Sequence, residues 1–128
     1  MQVAKKHISV RIVKSASELF CEKDFMKVSM RRIAAFSQVG LGNIYNYFSG
    51  KDAVFRVAVQ PVIIEFDKLL QIQHGNSRQG YITYTLENQF RNSVNNYLRI
   101  IRKYRRELTI LLFKSRGSSL QYVLVRSD

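Results

Sequence analysis

Apolar residues recur along most of this chain at the three- and four-residue intervals of helices that bury one side. Between residues 8 and 22, Ile12, Ala16, Leu19 and Phe20 share a face, while Arg11, Lys14 and Glu18 lie elsewhere around it. The pattern stops at Asp24, and Phe25 is expected to turn back into the core. Ser29 then suits the cap of a short helix over residues 30–37, because its hydroxyl can accept from a free N–H of the first turn. Ile33 and Ala34 would face inward there. Gln38, Val39 and Gly40 make a turn, and residues 41–48 predict another short helix with Ile44 and Phe48 on one side.

Ser49 and Asp52 stand at capping-box spacing before a long apolar helix running from about Lys51 towards Leu70. Pro61 lies inside it. Its ring would clash with the carbonyl of Val57 and it has no N–H to donate, so a kink or break is expected. Residues 73–80 are polar, contain Gly75 and Gly80 and lack aliphatic side chains, which predicts a loop between two helical regions. Leu86, Phe90, Val94, Tyr97, Leu98 and Ile101 then resume helical spacing. Leu108, Leu111 and Leu112 extend it into a further helix that ends at Gly117, Ser118 and Ser119. Residues 120–128 are too few for another helix hairpin. The fold class is all-α.

Composition narrows the function. The 128 residues include 21 Lys and Arg against 9 Asp and Glu, a formal charge of +12, and 46% of them are hydrophobic. That apolar fraction excludes a disordered basic tail. A lone cysteine, Cys21, excludes an internal disulfide and fits a reducing compartment, where it serves as a small core hydrophobe. No apolar run has the length of a membrane span, and the first residues lack the apolar segment of a signal peptide. A cytoplasmic protein with an anionic partner, nucleic acid first, is the expectation. His7 and His74 are isolated. No metal set, nucleophile–base grouping, Gly-rich phosphate loop or carboxylate pair stands out, so neither catalysis nor a cofactor is expected.

The charge is evenly shared, ten basic and four acidic side chains in residues 1–60 against eleven and five in residues 61–128. Its arrangement is more telling than its sum. The 27 residues from Phe25 to Lys51 contain no carboxylate. Three short helices within about fifty residues, the last two joined by a tight turn, have the layout of a helix-turn-helix. In that unit the third helix enters the major groove. Its exposed face here would carry Gly40, Leu41, Asn43, Tyr45 and Asn46, none of which would repel phosphate.

At these residues the chain resembles the TetR-type transcriptional repressors. The resemblance lies in Ile33 and Ala34, followed by Val39-Gly40-Leu41-Gly42-Asn43-Ile44-Tyr45-Asn46-Tyr47-Phe48-Ser49-Gly50-Lys51-Asp52. Ala16, Leu19, Phe20, Phe25 and Ser29 fall where that family places its first-helix core and second-helix cap. The resemblance implies that Leu41 and Asn43 read base edges, Asn43 through adenine and Leu41 through a thymine methyl. It implies that Gly42 allows close approach to the duplex. Tyr45 and Tyr47 would offer hydroxyls to phosphates or pack in part on the core. Lys51 and Ser29 would each meet a phosphate at a helix N-terminus.

Two departures stand out. Arg31 and Arg32 occupy positions where the family commonly has an acid, and they should strengthen backbone affinity. Gln38 and Gly40 flank Val39 where the family usually has Gly and a small hydroxyl residue. By the same resemblance, residues 1–50 are the DNA-binding domain, and residues 51–128 are an incomplete helical domain for ligand binding and dimerisation. The implied partners are a palindromic double-stranded operator, a small apolar ligand and a second copy of the chain, with no membrane. Aromatic side chains including Phe55, Phe66, Tyr81, Tyr84, Phe90, Tyr97, Tyr104 and Phe113 could line a pocket.

The basic run over residues 99–106 admits two readings. It is a solvated face beside an apolar stripe needed for the domain core, or a basic amphipathic helix for an anionic membrane or more DNA. The first is preferred. A basic helical module for a membrane or protein partner, and a regulator that binds ligand or partner but holds DNA poorly, remain the alternatives to repression.

Overall fold

Helix α1 (Gln2–Glu22) begins earlier than its apolar spacing requires and buries Ile12, Ala16, Leu19 and Phe20. This is a computed structural model, and it describes residues 2–77 and 83–121, with side chains described for residues 5–69 and 90–121. A 3-10 turn over Phe25–Lys27 follows, and it folds Phe25 inward as expected. α2 (Met30–Ser37) starts at Ser29, whose Oγ accepts from the Arg32 N–H at 3.1 Å. The remaining helices are α3 (Leu41–Ile44), α4 (Lys51–Ser77), α5 (Thr83–Lys103) and α6 (Arg105–Phe113). No strand occurs among the described residues, so the chain is all-α.

Packing divides the chain into two compact units. One joins Met1–Val59 to Arg106–Asp128, and the other is Gln60–Arg105. The first is built around three rings. Phe20 and Phe25 stack at 5.8 Å between centroids, and Phe55 meets each of them edge-on at 5.1 Å. The edge-to-face arrangement suits the ring quadrupoles, and it ties α1, the 3-10 turn and α4 together. Val28, Ile33, Ala34, Ile44 and Val54 complete this core, and Leu108, Ile110 and Leu111 of α6 are buried within the same unit. Ser37 is also buried, and its Oγ donates to the carbonyls of Ile33 and Ala34 at 2.7 and 3.2 Å. In the second unit Phe66 stacks on Tyr97 at 5.8 Å, and Val62, Leu69 and Ile100 are buried.

Several elements differ from the sequence expectation. The third helix stops at Ile44. Beyond it Asn46 and Tyr47 donate to the carbonyls three residues back, and Phe48 donates to Ile44 four back, so residues 45–48 continue as tight turns. No capping box forms before α4. The Val54 N–H bonds the Gly50 carbonyl at 3.4 Å, which puts Gly50 at the cap, and both oxygens of Asp52 accept from Ser119 instead.

Pro61 does not end α4. Its missing bond would have gone to Val57, and both residues lie on the exposed side of the helix, where water can serve the freed carbonyl. Helix also continues over 73–77, within the expected loop, while residues 78–80 lie outside the described residues. The largest difference concerns α5. Ile100 is buried, yet Phe90, Val94, Leu98 and Ile101 are 70%, 39%, 40% and 46% exposed. The apolar stripe expected in the core is therefore a surface stripe, because α5 packs through the neighbouring face that carries Ile100 and Tyr97. On α6 Leu112 likewise faces outward, whereas Leu108 and Leu111 are buried. Among the described residues no helix is long and apolar enough to cross a membrane.

Candidate nucleic-acid interface

The candidate interface begins with the turn between α2 and α3. Gln38 ends α2 in the left-handed conformation, at φ 61° and ψ 39°, and its N–H reaches back to the carbonyls of Ala34 and Ala35. Val39 follows and is buried, which fixes the direction in which the chain leaves. A residue with a Cβ costs roughly 1–2 kcal/mol in that conformation, which gives the family preference for Gly here a physical reason. The turn forms with Gln all the same. Gly40 then caps α3 in extended conformation with no side-chain bond.

α3 presents Leu41, Gly42 and Asn43 to solvent and sends Ile44 into the core. Space around Gly40 and Gly42 is open, with nothing within 4 Å of where a Cβ would stand. The missing side chains relieve no internal clash. They leave the helix surface low, which suits close approach by a large flat partner. Asn43 is anchored, since its Oδ1 accepts from Asn46 Nδ2 at 3.0 Å. That bond turns the amide edge in one direction and leaves the Asn43 amide nitrogen and a second lone pair on Oδ1 for other partners. Tyr45 is half exposed, Tyr47 less so, and Phe48 is buried.

Ser29, Arg31 and Arg32 stand at the exposed start of α2. Neither arginine has an ion-pair partner among the described residues, and no acid lies between Asp24 and Asp52 to provide one. α2 packs against both α1 and α3, so the two groups of exposed residues belong to one rigid corner.

Lys51 is placed differently. Its Nζ donates to the Phe25 carbonyl at 2.7 Å and sits 4.3 Å from the centroid of the Phe25 ring. Partial burial lowers its pKa below the ordinary 10.5. Ser29, Arg31, Arg32, Gly40, Leu41, Asn43 and Tyr45 are thus open to solvent, Tyr47 is half-buried, and Lys51 is turned towards the protein.

Asn46 was no more than part of a polar face by sequence; its i+3 spacing from Asn43 was the available signal. On α1, Lys6, His7, Val10, Arg11 and Lys14 line a shallow groove of about 460 Å³. Their spacing marks one helix face, but nothing in the sequence ties that face to the interface.

A family model described as "Bacterial regulatory proteins, tetR family" matches residues 12–58. Those residues span α1 from Ile12 onward, both helices of the helix-turn-helix and the start of α4. Residues 12–58 therefore form a helix-turn-helix domain similar to the DNA-binding domain of TetR-family regulators. None of the curated proteins matches it.

Proposed function

We propose that this protein is a cytoplasmic, non-enzymatic repressor that binds a palindromic operator as a homodimer and is relieved by a small apolar ligand. Residues 1–50 hold the DNA and residues 51–128 serve dimerisation and ligand binding. Leu41 and Asn43 read base edges, and Gly40 and Gly42 keep the helix low enough to reach them. Ser29, Arg31, Arg32, Tyr45 and Tyr47 meet phosphates. Lys51 gives one of its three N–H bonds to Phe25 and uses another on a phosphate.

The observation that supports this reading best is the exposed, acid-free surface of α2 and α3, where Asn43 is pre-oriented by Asn46. An amide held in place loses less freedom on pairing with a base. Relief by ligand and repression itself rest on the family resemblance. Selection of bound sequences from a random duplex pool tests the reading. A palindromic consensus with half-sites about one helical turn apart is the expected result. Enrichment of no sequence would overturn it.

A second reading is favoured by α5. Its exposed stripe of Phe90, Val94, Leu98 and Ile101 runs beside Arg99, Arg102 and Lys103, an apolar edge next to a basic one. Such a surface fits an anionic bilayer or an acidic protein helix. Co-sedimentation with vesicles of anionic and of neutral lipid tests it, using Phe90→Ser with Arg102→Ala. Loss of binding to anionic vesicles in that variant, but not in Arg31→Ala, would favour it.

A further inference from the structure

The turn after α6 is fastened to the DNA-binding corner at several points. Asp52 Oδ1 accepts from the Ser119 backbone N–H at 2.8 Å, and Asp52 Oδ2 accepts from the Ser119 Oγ–H at 2.7 Å. The Phe25 N–H donates to the Lys114 carbonyl at 2.9 Å, and Lys114 Nζ lies 3.6 Å from Asp24. Gly117 adopts φ +87°, and a Cβ there would run into the Met26 thioether. The peptide groups on either side of Phe25 are therefore both held, the N–H of one by Lys114 and the carbonyl of the next by Lys51.

These contacts have a topological consequence. The 3-10 turn precedes α2, and the first turn of α4 follows α3. One short strap, residues 114–119, grips both chain segments that bracket the helix-turn-helix. Neither segment can shift without breaking a bond to it. Isolated surface ion pairs lose most of their benefit to side-chain entropy. The Asp52 pair differs, because one donor is a fixed backbone N–H and the other a short hydroxyl on the same residue.

We propose that Asp52 and Ser119 are positioning residues for DNA binding: their paired hydrogen bonds clasp the strap after α6 onto α4 and hold α2 and α3 in the geometry that reads the duplex. The clasp rests on the DNA-binding reading for its functional consequence and on the contacts above for its structural one. The strap from the second region then braces the DNA-binding residues 1–50, within one compact unit that joins Met1–Val59 to Arg106–Asp128. Movement of α6 would reach both ends of the reading unit at once.

The test uses the full chain with Ser119→Ala, Asp52→Ala, the double variant and Ser119→Thr, at a temperature where circular dichroism shows each folded. The probe is the duplex that the parent selects from a random pool, against the unselected pool. Loss of one hydrogen bond from the clasp should weaken binding to the selected duplex by about tenfold in Ser119→Ala. Ser119→Thr, which keeps the hydroxyl, should restore binding. The double variant should bind no worse than Asp52→Ala alone, because the two residues act as one unit. The slope of log affinity against log salt should stay unchanged, since no phosphate contact is removed.

Hydrogen exchange without DNA supplies the independent readout, with faster exchange in α2 and α3 of Ser119→Ala expected. Folded alanine variants with parental affinity and parental exchange would overturn the clasp. If the parent itself selects no duplex, the DNA-binding reading falls, and the exchange result still decides whether the clasp holds the head.

Discussion

The ammonium of Lys51 lies 2.7 Å from the carbonyl oxygen of Phe25 and 4.3 Å from the centroid of the same residue's ring. A cation at the first position of a helix opposes the helix dipole. Here the carbonyl and the ring face supply the missing negative potential, and the side chain links two segments 26 residues apart. Replacing Lys51 with Ala should lower stability by no more than about 1 kcal/mol, because the lost hydrogen bond and stem packing are offset by relief of the desolvation that lowers its pKa. Denaturant unfolding at neutral pH measures it.

The same site has a pH signature. Desolvation lowers the Lys51 pKa in the folded chain below the ordinary 10.5. In the interval between those values the unfolded chain holds more protons, so this group favours the folded state increasingly as pH rises. An alkaline NMR titration of lysine Cε resonances should show Lys51 losing its proton ahead of the ordinary lysine range. A Lys51 resonance that titrates with the ordinary lysines would contradict the burial of its ammonium.

Gln38 carries the strained backbone of the turn, with φ 61°. Gln38→Gly should raise stability by about 0.5–1 kcal/mol, the left-handed penalty less the extra entropy of glycine in the unfolded chain. The midpoint of urea unfolding should rise with no change in slope. Duplex affinity should stay within twofold of the parent, since the turn already has its geometry.

Asn43→Ala should cost about 1–3 kcal/mol of discrimination at one base position and little binding to random duplex. Asn46→Ala should reproduce part of that loss without removing any base contact, by freeing the Asn43 amide. Binding isotherms on the selected duplex and on single-base variants would check both. Equal loss on every sequence would assign these residues to backbone contact.

Phe90→Ser should leave the stability of the chain within about 0.5 kcal/mol, because the ring is already 70% exposed. Ile100→Ser, ten residues further along the same helix and buried, should cost about 2–4 kcal/mol through lost burial and an added hydroxyl. Parallel thermal melts would separate the two faces of α5.

Much of the first unit was legible from spacing alone. Ile12, Ala16, Leu19 and Phe20 recur at helical intervals because α1 touches the core along a single stripe, and Ser29 marks a helix start because its hydroxyl serves a local N–H. Those are short-range requirements, met within a few residues. The family motif added expected roles for Leu41, Asn43 and their neighbours. Periodicity alone could not choose between the two apolar faces of α5, since both have helical spacing. Ile100 went inward and Phe90 outward according to which side met α4, where Phe66 stacks on Tyr97.

The net charge of +12 followed from composition, and the all-helical pattern and the acid-free stretch from Phe25 to Lys51 from the order of residues. Tertiary structure decided where the partners of that stretch lie. Asp52 has a capping-box neighbour three residues away in Ser49, yet it bonds Ser119, 67 residues distant, because the turn after α6 brings two donors to one carboxylate. Lys51 likewise has the sequence position of a phosphate contact and folds onto Phe25. Local signals name the groups that can bond; only the packed chain sets which of them are within reach.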